Sequence, residues 1–236
     1  MAQRADELTT AELLEQLGDI AHRLSSAQDL DETLQLIVDL GEDYLEGCDG
    51  VSLMLIEPGR TITSPAYSSK VAYDSDQAQY LTDQGPCLDA LRERQTVIID
   101  DLETETRWSD YRELALELGV RSMISFRLFA HEDTMGALDF YSATAHAFDA
   151  YSQTLGQVFA SHAGVALKAA ITEAGLAQAI RTRDVIGQAK GILMERQGVR
   201  GDAAFAQLRK LSQQHHRRLR DIAGDIVTTG EIPISG

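Results

Sequence analysis

Apolar residues recur along this chain with two periods, and the period switches from element to element. Over residues 6–24, Leu13, Leu17, Ile20 and Leu24 fall at three- and four-residue spacing among acidic neighbours. That spacing predicts an amphipathic helix with one face in need of a partner. Ser25 and Ser26 interrupt it. Asp29 then reads as a helix cap, with Glu32 three positions on as in a capping box. Leu30, Leu34, Ile37, Val38, Gly41 and Leu45 form the buried face of the next helix. After a turn at 47–50 the pattern becomes that of strands: 51–56, a hairpin turn at 57–60, and a returning strand at 61–68.

The middle is less regular. Residues 71–83 predict a short helix over the sheet, and Gly85 and Pro86 open another that runs to about Arg94. Residues 96–99 are a strand ending at Asp100 and Asp101, and Trp108 and Tyr111 lead into a helix to about Leu118. Residues 122–129 and 135–141 form a second hairpin turning at His131, Glu132 and Asp133, and 148–170 a long helix. Three shorter helices follow. Ile186, Ala189, Leu193 and Met194 stripe the first, which Gln197 and Gly198 end. Ala204, Phe205, Leu208 and Leu211 stripe the second; Leu219, Ile222, Ala223, Ile226 and Val227 stripe the third. Three such helices bury one small core. Val158, His162, Val165, Ala169, Thr172, Leu176 and Ala179 make a loose heptad, weakened by Gly164 and Gly175, along a stretch without proline. It faces a second copy, packs on the N-terminal helix, or does both in a four-helix dimer bundle.

Composition adds little to this, and charge adds much. A 236-residue chain with 44% hydrophobic residues holds one or two globular domains. It has no apolar leader and no run of membrane-spanning length, and Cys48 and Cys87 form no metal or redox motif. The expectation is a cytoplasmic protein with free thiols and no membrane contact. After Gly175 there are ten Lys and Arg against six Asp and Glu; before that point there are eleven against thirty-one. The densest basic run is His215, His216, Arg217, Arg218 and Arg220, with Arg209 and Lys210 one helix earlier. Such a cluster on an acidic chain suits a phosphate backbone, or else is a solvated helix end favoured by the dipole.

The string Ile186 to Met194, then Gly198, Ala204, Phe205, Leu208, Arg209 and Ser212, then Arg218 to Ala223, resembles an ANTAR domain, a three-helix RNA-binding module of bacterial sensors. The resemblance implies a transcription antiterminator that dimerises and stabilises paired hairpins in leader RNA. Arg200 stands where the family often has a capping Ser, and His216 where an Asn often opens the third helix. Lys190 and Gly191 lie off the apolar stripe, Arg209 and Ser212 share an edge of the second helix, and His216, Arg217, Arg218 and Arg220 open the third. These eight are the candidate RNA contacts. A DNA-binding regulator is the alternative, since three helices of this kind resemble a helix-turn-helix in outline.

The preceding region resembles a GAF domain through Gly85-Pro86-Cys87, the strand ending in Asp100-Asp101-Leu102, Trp108, and Gly136 to Tyr141. The resemblance implies a six-stranded or nearly six-stranded antiparallel sheet with helices on both faces and a small-molecule pocket; the pairing of the two domains is one met in actinobacterial sensors. The fold class is therefore α+β, a GAF-like sheet followed by a long coiled-coil-like helix and a three-helix bundle. The division is an N-terminal helix at 1–28, the GAF domain at 29–170, the ANTAR domain at 171–230 and a tail at 231–236. Tyr73, Tyr80, Cys87, Trp108, Tyr111 and Ser125 are the candidate pocket residues, unless the aromatics simply fill the core. The asparagine–lysine motif of cyclic-nucleotide-binding GAF domains is absent, and none of His131, His146 and His162 is placed as a haem ligand. Cys87, at a helix N-terminus, is either a redox or bilin-carrying thiol or a small buried hydrophobe. GAF domains that reduce methionine sulfoxide use several cysteines, and only Cys87 is near this pocket. No triad, P-loop or metal-ligand spacing is present, so no enzyme and no cofactor are expected.

Overall fold

The computed structural model describes residues 10–57, 59–93, 96–130 and 133–232. The expected start of the first helix before residue 10, the helix end at Arg94, the turn residues Pro58, His131 and Glu132, and the last four residues of the tail lie outside them. The chain divides into two compact units, 1–171 and 172–236. The first holds α1 (Thr10–Leu24), α2 (Leu30–Tyr44), β1 (Gly50–Ile56), β2 (Ile62–Tyr67), α3 (Lys70–Thr82), α4 (Pro86–Glu93), β3 (Val97–Ile99), α5 (Ser109–Glu117), β4 (Ser122–Ala130) and β5 (Asp133–Ser142). Helix α6 (Ala150–Gln197) contributes to both units; α7 (Gly201–Gln214) and α8 (Leu219–Thr229) belong to the second.

Among the described residues the sheet has five strands in the order β2-β1-β5-β4-β3, one fewer than a full six, and every pairing is antiparallel. Its two faces differ because side chains alternate along a strand. One face carries Val51, Leu53, Ile124, Phe126, Leu138 and Phe140. It packs with Ile20 of α1, Ile37 and Leu40 of α2, and Leu155, Phe159 and Leu167 of α6. Phe126 and Phe140 meet edge-to-face at 5.7 Å, the geometry aromatic quadrupoles prefer. Gly156 allows α6 this close: a Cβ there would lie 2.4 Å from the Phe126 ring. Gly164, which weakens a free helix, does the same beside the Phe129 carbonyl at 2.7 Å.

The other face carries Ser52, Ser125, Asp139 and Tyr141, brought level by the register Ser52↔Asp139 and Ser125↔Asp139. Helices α3, α4 and α5 cover it, with Ala72, Ala78, Ala90, Trp108 and Tyr111 among the apolar contacts. Local chemistry sets these helix starts. Asp29 accepts from the Glu32 N–H at 2.9 Å, and Glu32 reaches back to the Gln28 N–H at 2.7 Å. Ser69 caps α3 through the Ala72 N–H, and Pro86 opens α4.

In the second unit Ala189 and Leu193 of α6, Ala204, Leu208 and Leu211 of α7, and Ile222, Ala223 and Ile226 of α8 form one core. Met194 and Phe205, expected on the buried stripes, are 41% and 39% exposed. Each follows a buried residue, and the 100° step per residue turns it out of a core this small. Arg200 and Arg218 occupy the N-cap positions of α7 and α8 with no side-chain cap bond. The third helix thus opens at Leu219, not at His216, which sits in the preceding turn with φ 50°. No helix among the described residues is long and apolar enough to cross a membrane.

Candidate functional site

The candidate basic residues of the second unit lie on α6, α7 and α8 and in the turn between the last two. Lys190 of α6 points its Nζ at the Phe205 ring, 6.0 Å from its centroid. The two line a groove of about 620 Å³ together with Arg183, Asp184, Ile186, Gly187 and Gln188. Gly191 is exposed, and a Cβ there would meet nothing within 4 Å. Arg209, His216, Arg218 and Arg220 are exposed, and Arg220 lies 3.5 Å from Asp221. Two of the candidates are engaged within the fold. The Ser212 hydroxyl donates to the Arg217 carbonyl at 2.6 Å, and the Arg217 guanidinium pairs with Asp225 at 2.7 Å. Phe205 joins this surface unforeseen, because its position on the apolar stripe points to the core. An exposed aromatic beside a lysine is the combination that stacks unpaired bases.

The first unit holds a chamber of buried polar side chains between the sheet and α3–α5. Asp76 of α3 is fully buried. It accepts from Ser52 at 2.9 Å and also from the Ser64 and Tyr141 hydroxyls. Burial pushes its carboxyl up to about 6, against the pull of these three bonds. Asp139 of β5 is as buried, and neither of its oxygens has a hydrogen-bond partner. Burial, then the Asp76 charge, hold its carboxyl well above the usual range. The Ser125 hydroxyl and Cys87 thiol beside it favour its charged form without completing a well-formed hydrogen bond.

Of the expected pocket residues, the fold gathers four here. Tyr80 shares a hydrogen bond with Ser64 at 2.7 Å, and Tyr111 one with Ser75 at 2.9 Å. Ser125 and Cys87 flank Asp139. Tyr73 instead meets the exposed Tyr67 at a tilt, ring centroids 4.8 Å apart. Trp108 is held by its Nε1–H on Asp89 at 2.8 Å, with Arg107 over its ring at 4.2 Å. Cys87 is buried against Met54, and burial, then Asp139 and Asp76, push its thiol well up. Burial outweighs the helix N-terminus, and the Cys87 backbone N–H is itself spent on Gln79 at 2.9 Å. Cys48 lies in the other cluster, and burial pushes its thiol up to about 12. No group of three or more metal-binding side chains occurs among the described residues. Asp76 and Asp139 are not evident from sequence; the one signal is a carboxylate in the middle of the apolar run 137–141.

Solved structures share the fold of the first unit. The GAF domain of a phosphoenolpyruvate-protein phosphotransferase from Coxiella burnetii is 16% identical with a TM-score of 0.57, over 71% of this chain and 99% of that one. A free methionine-R-sulfoxide reductase from Neisseria meningitidis, solved with its substrate, is 17% identical with a TM-score of 0.56, over 73% and 98%. The photosensory core module of a Stigmatella aurantiaca phytochrome is 14% identical with a TM-score of 0.57, over 89% of this chain and 47% of that one. At these identities the likeness is one of fold. No curated protein matches the chain. Family profiles match in two places, and the chain accordingly belongs to the GAF family through residues 27–168 and carries an ANTAR domain at residues 174–227.

Proposed function

We propose that this protein is an RNA-binding regulator of transcription antitermination. Its ANTAR domain binds paired hairpins in nascent leader RNA, and its GAF domain senses a small molecule or partner. It works as a cytoplasmic homodimer and is not an enzyme. The observation that carries this reading is the basic, partly aromatic surface of the ANTAR domain: exposed Arg209, Arg218 and Arg220, and Lys190 beside exposed Phe205. Lysine and arginine neutralise phosphates, and an exposed ring gives an unpaired base a stacking partner. Helix α6, unbroken from Ala150 to Gln197, runs from the GAF domain into the ANTAR domain.

The test is Lys190→Ala, Arg209→Ala and Arg218→Ala, made singly in the full chain and titrated with a paired-hairpin RNA at two salt concentrations. Each should weaken binding several-fold at low salt and reduce the salt slope by roughly 0.7–0.9 for every phosphate left unneutralised. Phe205→Ala should weaken binding by roughly 1–3 kcal/mol with the slope unchanged. Parent-like binding by all four variants removes this surface as the RNA site. Tighter binding of duplex DNA than of hairpin RNA replaces the antiterminator with the DNA-binding alternative.

A further inference from the structure

A helix is held on a sheet by the apolar area it buries, yet the buried residues of α3 are Ala72, Ser75, Asp76, Ala78 and Gln79, with Tyr80 half-buried against Met54 and Ala137 of the sheet. Two alanines and one tyrosine supply the apolar contact, and the other three are polar. Asp76 has its hydrogen bonds. Asp139 does not: both its oxygens and the adjacent Ser125 hydroxyl are fully buried and unpartnered. Burying an unpaired carboxylate is among the more destabilising things a fold can do. Buried polar groups with perturbed titration concentrate at working sites.

What the chamber lacks defines its complement. The groups that act on Asp139 are Asp76, Ser125 and Cys87, and those that act on Asp76 are Ser64, Tyr141 and Ser52. None is a cation. With both carboxyls ionised, the deficit is one positive charge and at least two hydrogen-bond donors. An uncharged donor satisfies oxygens but leaves the two carboxylates repelling each other; an acid worsens that repulsion. A metal ion wants more ligands than any described cluster offers. A protonated amine or a guanidinium group meets both needs, the latter with paired donors matched to a carboxylate.

We propose that the GAF domain binds a small organic cation, a protonated amine or guanidinium group, on Asp139 and Ser125, with Asp76 as the second charge. This rests on the reading of the GAF domain as sensory. Because Asp76, Ser125 and Asp139 are fully buried, entry lifts α3 or α4 from the sheet. Asp76 ties α3 to the sheet through Ser52, Ser64 and Tyr141, and the Cys87 N–H ties α4 to Gln79 of α3. The titratable groups around Asp139 are Asp76 and Tyr80 of α3, Cys87 of α4, Tyr111 of α5 and Tyr141 of β5. A cation draws the two carboxyls into their charged forms, so binding releases protons and strengthens as pH rises.

The experiment is thermal unfolding of the full chain with agmatine, putrescine and tyramine, each against its uncharged alcohol and its carboxylic acid counterpart. At saturation an amine should raise the melting temperature of the first unit by roughly 5 °C, and its counterparts should not. The shift should shrink from pH 7.5 to pH 5, vanish in Asp139→Asn and weaken in Ser125→Ala, which keeps both carboxylates. No shift from any amine, or an amine shift that survives Asp139→Asn and Ser125→Ala, overturns the proposal. A shift produced only by the alcohols or acids, and lost in Asp139→Asn, overturns the cation but leaves a sensory pocket. Hairpin RNA titrated with the same preparation reads the RNA-binding function separately.

Discussion

Asp76 and Asp139 give the stability of the GAF domain a dependence on pH. Both carboxyls stand above their unfolded values, Asp76 at about 6 and Asp139 well above the ordinary aspartate range, with burial as the main cause. Between the ordinary aspartate range and these raised values the folded state holds more protons than the unfolded one. Stability is then full below the unfolded pKa and falls as pH rises through the folded one. The melting temperature of the first unit should therefore drop on going from pH 5 to pH 7.5, and Asp139→Asn should flatten that slope. Glu105 works in the opposite sense, since its bond from Arg107 lowers its carboxyl to about 2. Its contribution is present above the usual glutamate pKa and lost only as pH falls through about 2, so it adds no slope near neutrality. A melting curve that is flat between pH 5 and 7.5, or equally steep in Asp139→Asn, removes the chamber as its source. The thiols give a companion check. Cys87 and Cys48 are both pushed up by burial, so a thiol reagent should label the native chain far more slowly than the unfolded chain.

At the scale of elements, the ends of α7 are where the ANTAR domain can be improved. Arg200 caps α7 with a side chain that accepts nothing. Arg200→Asp should stabilise the domain by roughly 1 kcal/mol through a bond to a free N–H and the helix dipole. His216, at φ 50°, holds a backbone conformation that asparagine tolerates better. His216→Asn should therefore add stability as well, with the two gains nearly additive in chemical unfolding. A loss from either change would mean that the arginine or histidine makes a contact beyond its own turn. The same turn shows why some elements are legible in the sequence and others are not. Helix α2 can be read because its cap, Asp29 and Glu32, and its stripe are contiguous; β1 and β5 can be read as apolar runs, broken by Ser52 in 51–56 and by Asp139 in 137–141. The chamber cannot, because Ser52, Asp76, Ser125 and Asp139 come from four elements that only strand register and the seat of α3 bring together. Phe205 and Met194 look like core in sequence because apolar identity does not record how narrow a three-helix core is.

On the scale of the whole molecule, the feature that needs a partner is α6. Of its heptad, Val158 and His162 are half-buried, while Val165 and Leu176 are 68% and 63% exposed. Ile180, one position past the heptad's Ala179, is 54% exposed. A second copy of the same helix is the occupant this stripe suits, because identical heptads pair in register. On the function proposed above, two ANTAR domains joined in this way face two hairpins of one transcript. The second hairpin then binds at an effective concentration set by the tether, which strengthens paired over single hairpins by roughly 10²-fold or more. Val165→Glu with Leu176→Glu places like charges along the seam and should give a monomer by light scattering at tens of micromolar, with the circular dichroism of the fold intact. That monomer should bind a single hairpin as the parent does and lose its preference for the paired-hairpin RNA. If the double variant stays dimeric, the stripe is not the dimer seam. If it becomes monomeric and still prefers paired hairpins, one ANTAR domain reads both hairpins and the dimer serves some other end.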